Sequence, residues 1–181
     1  MNTFISMLRG INVSGKNSIR MVELKSLYEA LGFEQVETYV QSGNVVFKTT
    51  QSNAVVLAAL IQAQIERSFG LAASVFVREP FDFQRILRSN PFLMGRNEDP
   101  TKLHVTFLYR SPKAAQWEAL KPPPRETDEF FPGEREIYLF CPNGYGRTKL
   151  SNTFFEKKLN IPATTRNWNT VQALYKLTTD Y

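Results

Sequence analysis

The chain repeats one order of secondary-structure elements, and this repetition restricts its fold more than any other feature. Apolar residues alternate along residues 3–9, which predicts a strand, and recur at helical spacing over residues 21–31, which predicts a helix ending at Gly32. The following pattern predicts a hairpin with strands at 36–40 and 45–47, whose turn uses Gly43 and Asn44 for positive φ. A helix that Ser52 or Asn53 can cap and that Gly70 ends comes next, and then a strand at 74–78. Strand, helix, two strands, helix and strand in this order are typical of the ferredoxin-like α+β arrangement.

The second half predicts the same order again. A half-buried strand over 103–110, a short helix over 112–120, a hairpin with a type II turn at Pro132-Gly133, a helix over 150–159 and an edge strand over 162–166 follow one another. A linker helix precedes them and a final helix follows. We therefore expect two tandem ferredoxin-like halves (βαββαβ, the α-β plait), with an N-terminal domain over 1–79 and a C-terminal domain over 80–181.

Composition restricts the class of protein. A chain of 181 residues with 43% hydrophobic and 22% charged residues is an ordinary globular sequence, long enough to build a core without disulfides or metal. Its one cysteine, Cys141, cannot form an internal disulfide bond. There is no signal-like N-terminal pattern and no apolar run of about 18 residues, so we expect a cytoplasmic protein without a membrane segment.

Charge is unevenly distributed along the chain. The net charge is +5, residues 1–22 contain three Lys or Arg and no acid, and residues 141–181 contain six Lys or Arg with only two acids. Residues 98–136 are acidic in balance. A positive surface favours anionic partners, either small molecules or nucleic acid.

The loop after the first predicted strand resembles a phosphate-binding loop. Residues 10–16 fit the first seven positions of the Walker A pattern, but Asn17 stands where a hydroxyl would bind Mg²⁺. The helix pattern also begins too late after Lys16 for a nucleotide hydrolase. A nest of backbone N–H groups at Gly10 and Gly15, beside Arg9 and Lys16, is a simpler prediction. An ordinary glycine-containing loop is the open alternative.

Two later loops combine cations with predicted helix starts. If Thr148 caps a helix, Arg147 and Lys149 lie at its positive end, which disfavours cations unless an anion is bound among them. Arg166 lies beside Asn167, and either Asn167 or Asn169 can cap the last helix. Three such loops would form a phosphate or carboxylate site if they converge. Loops on separate faces of the molecule are the alternative.

Side chains suited to other chemistry are few. Tyr145 and Trp168 could stack a base, although such residues are more often part of a core or its rim. His104 is the one histidine, and Cys141 has no activating partner in the sequence, so both are expected to be structural. No Cys/His cluster has metal-ligand spacing, so no metal or cofactor is expected and catalytic residues stay unassigned.

Four motifs in order carry a resemblance to a known family. They are LRGINV with GKN over 8–17, QSGNVVF over 41–47, GRTKL over 146–150 and ATTRNWNTV over 163–171. With these motifs the chain resembles the bacterial family called domain of unknown function 1697. The resemblance implies a cytoplasmic protein of tandem ferredoxin-like halves and implies no activity. The family's pattern often has Gly where Ser14 stands and Pro where Arg20 stands.

We therefore expect an anion-binding protein, with a phosphate-bearing ligand, nucleotide or nucleic acid held at basic loops between the two halves. The alternatives are an enzyme that polarises a small phosphorylated or carboxylated metabolite through Tyr145 or Lys149, and a protein-interaction module that uses the acidic segment. The candidate binding residues are Arg9, Gly10, Asn12, Gly15, Lys16, Gly43, Asn44, Gly146, Arg147, Lys149, Arg166, Asn167 and Trp168.

Overall fold

Each half of the chain contains a four-stranded antiparallel sheet with its own helices. A computed structural model describes residues 1–180. The first sheet has the strand order β2-β3-β1-β4, with every neighbouring pair antiparallel. Its elements are β1 (Asn2–Leu8), α1 (Met21–Ala30), β2 (Glu34–Tyr39), β3 (Asn44–Thr49), α2 (Ala54–Phe69) and β4 (Val75–Arg78).

The second sheet repeats this pattern with the order β6-β7-β5-β8, again fully antiparallel. Short 3-10 helices lie at Pro100–Lys102 and Tyr145–Arg147. The elements are α3 (Pro80–Arg88), β5 (Leu103–Leu108), α4 (Ala114–Ala119), β6 (Glu129–Pro132), β7 (Glu136–Phe140), α5 (Asn152–Leu159), β8 (Ala163–Asn167) and α6 (Trp168–Thr179). The predicted mixed α+β class with two sheets is confirmed.

The chain forms two compact units. The first unit contains residues 1–85 and 173–180, and the second unit contains residues 86–172. The domain division predicted at residues 79 and 80 stays a prediction. Among residues 1–180, no helix is long and apolar enough to cross a membrane.

The core of the first unit follows from the alternation in β1. Phe4 and Leu8 are almost completely buried and pack with apolar residues of α1, α2, β3 and β4. The predicted cap of α2 is confirmed, because the Asn53 side chain accepts hydrogen bonds from the N–H groups of Val55 and Val56. Gly70 ends α2 in the left-handed conformation. Local signals therefore fix where α2 begins and where it ends.

The second unit has its own core cluster, which includes Leu108, Leu139, Phe155 and Leu159. The hairpin between β6 and β7 is present, but the predicted type II turn is wrong because Gly133 does not have a positive φ. The buried carboxylate of Glu136 accepts hydrogen bonds from the N–H groups of Glu134 and Arg135 and closes this turn instead.

Candidate functional site

The loop over residues 9–20, here the first loop, folds back on itself. Five of its residues have a positive φ: Gly10, Asn12, Ser14, Gly15 and Asn17. The adjacent pair Ser14 and Gly15 forms a tight turn, closed by a hydrogen bond of 3.0 Å from the Lys16 N–H to the Val13 carbonyl. A positive φ at consecutive residues is typical of type I′ turns. The first loop thus contains a tight turn and ends before α1 begins at Met21.

Asn12 holds the first loop in place. Its Nδ2 donates to the carbonyl oxygens of Ile19 at 2.9 Å and Gln41 at 2.8 Å, and its Oδ1 accepts from the Ile19 N–H at 2.8 Å. The side chain of Asn17 adds a bond of 3.0 Å to the Gly10 carbonyl. These bonds fix the shape of the loop from inside and tie it to the turn between β2 and β3.

That turn, residues 40–43, lies next to the first loop, because its Gln41 carbonyl accepts the hydrogen bond from Asn12. The Gly43 carbonyl accepts from the Leu8 N–H at 3.0 Å, and a Cβ added at Gly43 would lie 2.8 Å from the Leu8 Cβ. Val40, not Asn44 as predicted, shares the positive φ with Gly43. Asn44 is buried, and its Nδ2 donates to the Tyr39 carbonyl and the Ser42 hydroxyl.

The first loop presents donors and positive charge to solvent. Ser14, Gly15, Lys16 and Asn17 are exposed. Within residues 1–180, the N–H groups of Ser14, Gly15 and Asn17 have no hydrogen-bond acceptor. No acid occurs in residues 1–22 to neutralise Lys16 within the loop. Exposed N–H groups beside an ammonium group are the chemistry that binds an oxyanion.

The loop over residues 141–151, here the second loop, differs from its prediction. Helix α5 begins at Asn152, and the Ser151 hydroxyl is its cap, accepting from the Phe154 N–H at 3.2 Å. The Thr148 hydroxyl instead accepts from the Leu150 N–H. The expectation that Thr148 caps a helix and places Arg147 and Lys149 at its positive end is therefore wrong, because the helix starts later.

A carboxylate from elsewhere in the chain supports the second loop. Glu126 accepts from the Lys149 N–H at 2.9 Å and from the N–H groups of Thr127 and Asp128. Burial opposes ionisation of Glu126, but these hydrogen bonds and the charge of Lys149 outweigh it, so the Glu126 pKa lies below its usual value. Gly146 and Arg147 are exposed on the same loop.

Titratable side chains cluster under the second loop. The rings of His104 and Tyr145 stack with centroids 4.8 Å apart. Burial lowers the His104 pKa, while the Lys102 carbonyl and the charge of Asp128 act in the opposite direction. Burial and the nearby Asp128 raise the pKa of the Cys141 thiol to about 12, and the Thr148 side chain opposes this only in part. Cys141 is thus a poor nucleophile, as the sequence predicts.

The third predicted segment, at the junction of β8 and α6, is largely buried. Arg166 is 8% exposed, and its Nη1 donates to the Thr164 hydroxyl at 2.8 Å and the Thr165 carbonyl at 2.9 Å. Burial lowers the Arg166 pKa to about 10. Asn167 caps α6 as predicted, accepting from the Thr170 N–H. Trp168 is 2% exposed, so its ring has almost no surface for a base to stack on.

Comparison with known proteins gives a family. The model described as "Protein of unknown function (DUF1697)" matches residues 1–138. The chain belongs to this family. No curated protein matches the sequence. The DUF1697 match includes the first loop and the 40–43 turn and ends before the second loop.

A solved structure supports the fold. The chain is similar to the conserved bacterial protein SP0830 from Streptococcus pneumoniae, with a TM-score of 0.73 and 24% sequence identity. The similarity covers 97% of this chain and 98% of that one. This likeness concerns the fold of the DUF1697 chain alone.

The structure thus brings only some of the predicted site residues close together. In the first unit it brings together Arg9, Gly10, Asn12, Gly15 and Lys16 with Gly43 and Asn44. Sequence reasoning missed Val40 and Gln41 beside the first loop, and Glu126 beside the second. The acidic run at 126–129 was visible in the sequence, but nothing local indicated that it pairs with Lys149.

Proposed function

We propose that this DUF1697 protein binds a phosphate-bearing or other anionic ligand at the first loop and the 40–43 turn beneath it. The observation that carries the proposal is the set of exposed N–H groups at Ser14, Gly15 and Asn17 that lack acceptors within residues 1–180, next to Lys16. An oxyanion would supply the missing acceptors and balance the ammonium charge at once.

Rigidity favours binding at this loop. Asn12 fixes the loop through three hydrogen bonds, so the donors are held in place before a ligand arrives. Preorganisation lowers the entropic cost of binding. A hydrogen bond to a charged group contributes about 1.5–3 kcal/mol, so two or three of them with Lys16 support at most a modest affinity for a small anion.

The remaining predicted residues enter the proposal with less support. Gly146, Arg147 and Lys149 are exposed, but Glu126 already accepts a hydrogen bond from the Lys149 N–H. Arg166 and Trp168 are buried and would contact a ligand only after a rearrangement. Their participation in one site with the first loop stays a prediction.

We also infer that each half is a ferredoxin-like plait. The order β2-β3-β1-β4 with helices after β1 and β3, repeated as β6-β7-β5-β8, supports this assignment. We further propose the cytoplasm as the compartment. One buried free cysteine fits a reducing environment.

A titration with inorganic phosphate at low ionic strength, followed by calorimetry, tests the proposed site. We expect Lys16→Glu to abolish the heat of binding, because it replaces an attraction by a repulsion. The matched control is Lys157→Glu, which reverses a charge that is also exposed, on α5, and is expected to leave binding unchanged. Loss of binding in both variants, or in neither, would contradict the proposal.

The same titration with a single-stranded oligonucleotide separates the two ligand classes. Nucleic-acid binding releases many counterions and weakens steeply with salt, whereas binding of one phosphate group weakens only slightly. A steep dependence that is lost in Lys16→Glu would identify the first loop as part of a nucleic-acid site. A shallow dependence would favour a small ligand.

A further inference from the structure

The tip of the first loop is a miniature hairpin. The Lys16 N–H donates to the Val13 carbonyl at 3.0 Å, and the Asn12 N–H donates to the Asn17 carbonyl at 3.2 Å. Val13 and Lys16 thus form an antiparallel bridge. Residues directly opposite each other in an antiparallel pair carry their side chains on the same face. The isopropyl group of Val13 therefore lies beside the side chain of Lys16.

Val13 is not needed to anchor this hairpin. Ile11 and Ile19 attach the first loop to the core of the first unit, and both are 2% exposed. Val13, in contrast, is 58% exposed. Within residues 1–180, no carboxylate forms an ion pair with Lys16. The tip of the loop therefore offers carbon surface and a positive charge side by side.

A second exposed valine lies in the neighbouring 40–43 turn. Val40 is 51% exposed and has a φ of 51°. A positive φ is unfavourable for a β-branched residue, and such strain occurs most often at functional sites. Val40 does not offset this cost by burial in the core. It precedes Gln41, whose carbonyl accepts from the Asn12 side chain at 2.8 Å, so this bond holds the turn with Val40 next to the hairpin with Val13.

We propose that the ligand of the first loop is an organic phosphate whose phosphate group is attached directly to an apolar group. This inference rests on the proposed function and narrows its ligand class. The phosphate oxygens accept from the exposed N–H groups of the first loop beside Lys16, and the apolar group covers Val13 and Val40. The ligand thus uses both the donors and the carbon surface that the fold itself leaves exposed.

Two physical effects select this chemistry. The absence of acids from residues 1–22 selects an anionic group. Contact with the valines releases water from apolar surface on both partners, which favours an apolar substituent over a hydroxylated one. Inorganic phosphate has no substituent and gains only the polar contacts. The two parts of the ligand therefore make contributions to affinity that can be measured separately.

Calorimetric titrations of the full chain with three ligands test this inference. Inorganic phosphate tests the proposed function. Glycerol phosphate and phenyl phosphate, compared at a pH where both are dianions, test the polarity of the substituent. We expect the native chain to bind phenyl phosphate about tenfold more tightly than glycerol phosphate. Val13→Thr keeps the branched shape and should reduce this ratio to about threefold, with the affinity for inorganic phosphate unchanged.

Val55→Thr is the matched control and should keep the native ratio. Val55 is 68% exposed in the first turn of α2, which follows the opposite end of β3 from the 40–43 turn. Binding of inorganic phosphate together with equal affinities for the two esters would overturn this inference and leave the proposed function intact. A native ratio in Val13→Thr would overturn it as well. Absence of phosphate binding would contradict the proposed function and this inference together.

Val40→Asn separates a role in binding from a role in stability. Asn tolerates a positive φ better than Val, so the variant should unfold at a higher urea concentration than the native chain. It should also lose part of the preference for phenyl phosphate. A lower midpoint of urea denaturation, or a native preference in this variant, would show that Val40 serves the fold alone and overturn its place in the site.

Discussion

The first loop and the second loop look alike in the sequence and differ in the structure. Both follow a strand, contain glycine and Lys or Arg, and precede a helix. Around the first loop, the exposed donors of Ser14, Gly15 and Asn17 have no acceptor within residues 1–180. Around the second, Glu126 accepts from the Lys149 N–H. A glycine-rich basic loop is therefore a candidate anion site only where the chain itself does not supply the anion.

In the sequence, the position of Lys149 before a predicted helix suggested an anion beside it. The contrast between the two loops explains this pattern. The cation is not in the first turn of α5, and the negative charge next to it belongs to the protein, as the carboxylate of Glu126. An external anion is therefore not needed to account for a cation at this place. Within residues 1–180, no carboxylate forms an ion pair with Lys16 or accepts from the N–H groups of Ser14, Gly15 and Asn17, which leaves room for an external ligand.

Among the substitutions that test the difference between the two loops, Gly43→Ala is expected to change the free energy of unfolding the most. Gly43 has a φ of +73°, and an added Cβ would lie 2.8 Å from the Leu8 Cβ, which is attached to the central strand β1 and cannot move away cheaply. The left-handed conformation and the overlap together should lower the free energy of unfolding by roughly 3 kcal/mol. Urea denaturation measures this loss.

Gly70→Ala, at the end of α2, is the matched control. Gly70 is also left-handed, with a φ of +67°, but nothing lies within 4 Å of an added Cβ. Only the backbone strain remains, so the expected loss is about 1 kcal/mol. Equal losses in the two variants would show that the contact between the 40–43 turn and β1 does not support the first loop.

Asn12→Ala should have the next largest effect on the free energy of unfolding. It removes three hydrogen bonds that hold the first loop, to the N–H and carbonyl of Ile19 and to the Gln41 carbonyl. We expect the free energy of unfolding to fall by about 2 kcal/mol. Phosphate binding should weaken more than stability alone explains, because the donors are no longer held in place. Unchanged binding in a folded Asn12→Ala variant would argue against a preorganised site.

Ser14→Gly tests the backbone strain in the first loop and, unlike the preceding variants, is expected to stabilise the chain. Ser14 has a φ of 51°, which disfavours a residue with a side chain. Relief of the strain should stabilise the chain by about 0.5 kcal/mol, since the added freedom of the unfolded chain offsets part of the gain. A thermal melt that shifts downward would show that the turn does not strain Ser14.

The smallest expected effect concerns pH and the second loop. The His104 pKa in the folded chain lies below its usual value of about 6.5, so the folded state binds fewer protons than the unfolded state below that pH. The stability contributed by neutral His104 is complete above about pH 6.5 and is lost as the pH falls towards the folded pKa. His104→Gln should remove this dependence on pH. Denaturation curves at several pH values measure it, and an unchanged dependence in the variant would contradict the assignment.

Short-range signals in the sequence predicted much of the fold. The caps at Asn53 and Asn167 and the left-handed end at Gly70 were predictable because each acts on residues within a turn of itself. The predicted start of α5 was wrong because Thr148 and Ser151 are both suitable caps, and the structure uses Ser151, while the Thr148 hydroxyl accepts from the Leu150 N–H.

The candidate site was harder to predict because distant contacts define it. The bond from Asn12 to the Gln41 carbonyl joins the first loop to a turn that is remote in the sequence. The bond from the Lys149 N–H to Glu126 does the same in the second loop. Neither pairing leaves a pattern in its own segment. The motifs indicated which loops carry the candidate residues, and the tertiary contacts distinguish these loops.

The most direct test of anion binding at the first loop is an amide NMR titration of the full chain with inorganic phosphate. The account predicts saturable shifts of the Ser14, Gly15 and Asn17 amides, with the amides of Arg147 and Lys149 nearly unchanged. Shifts confined to the second loop, or none at all at low ionic strength, would contradict it.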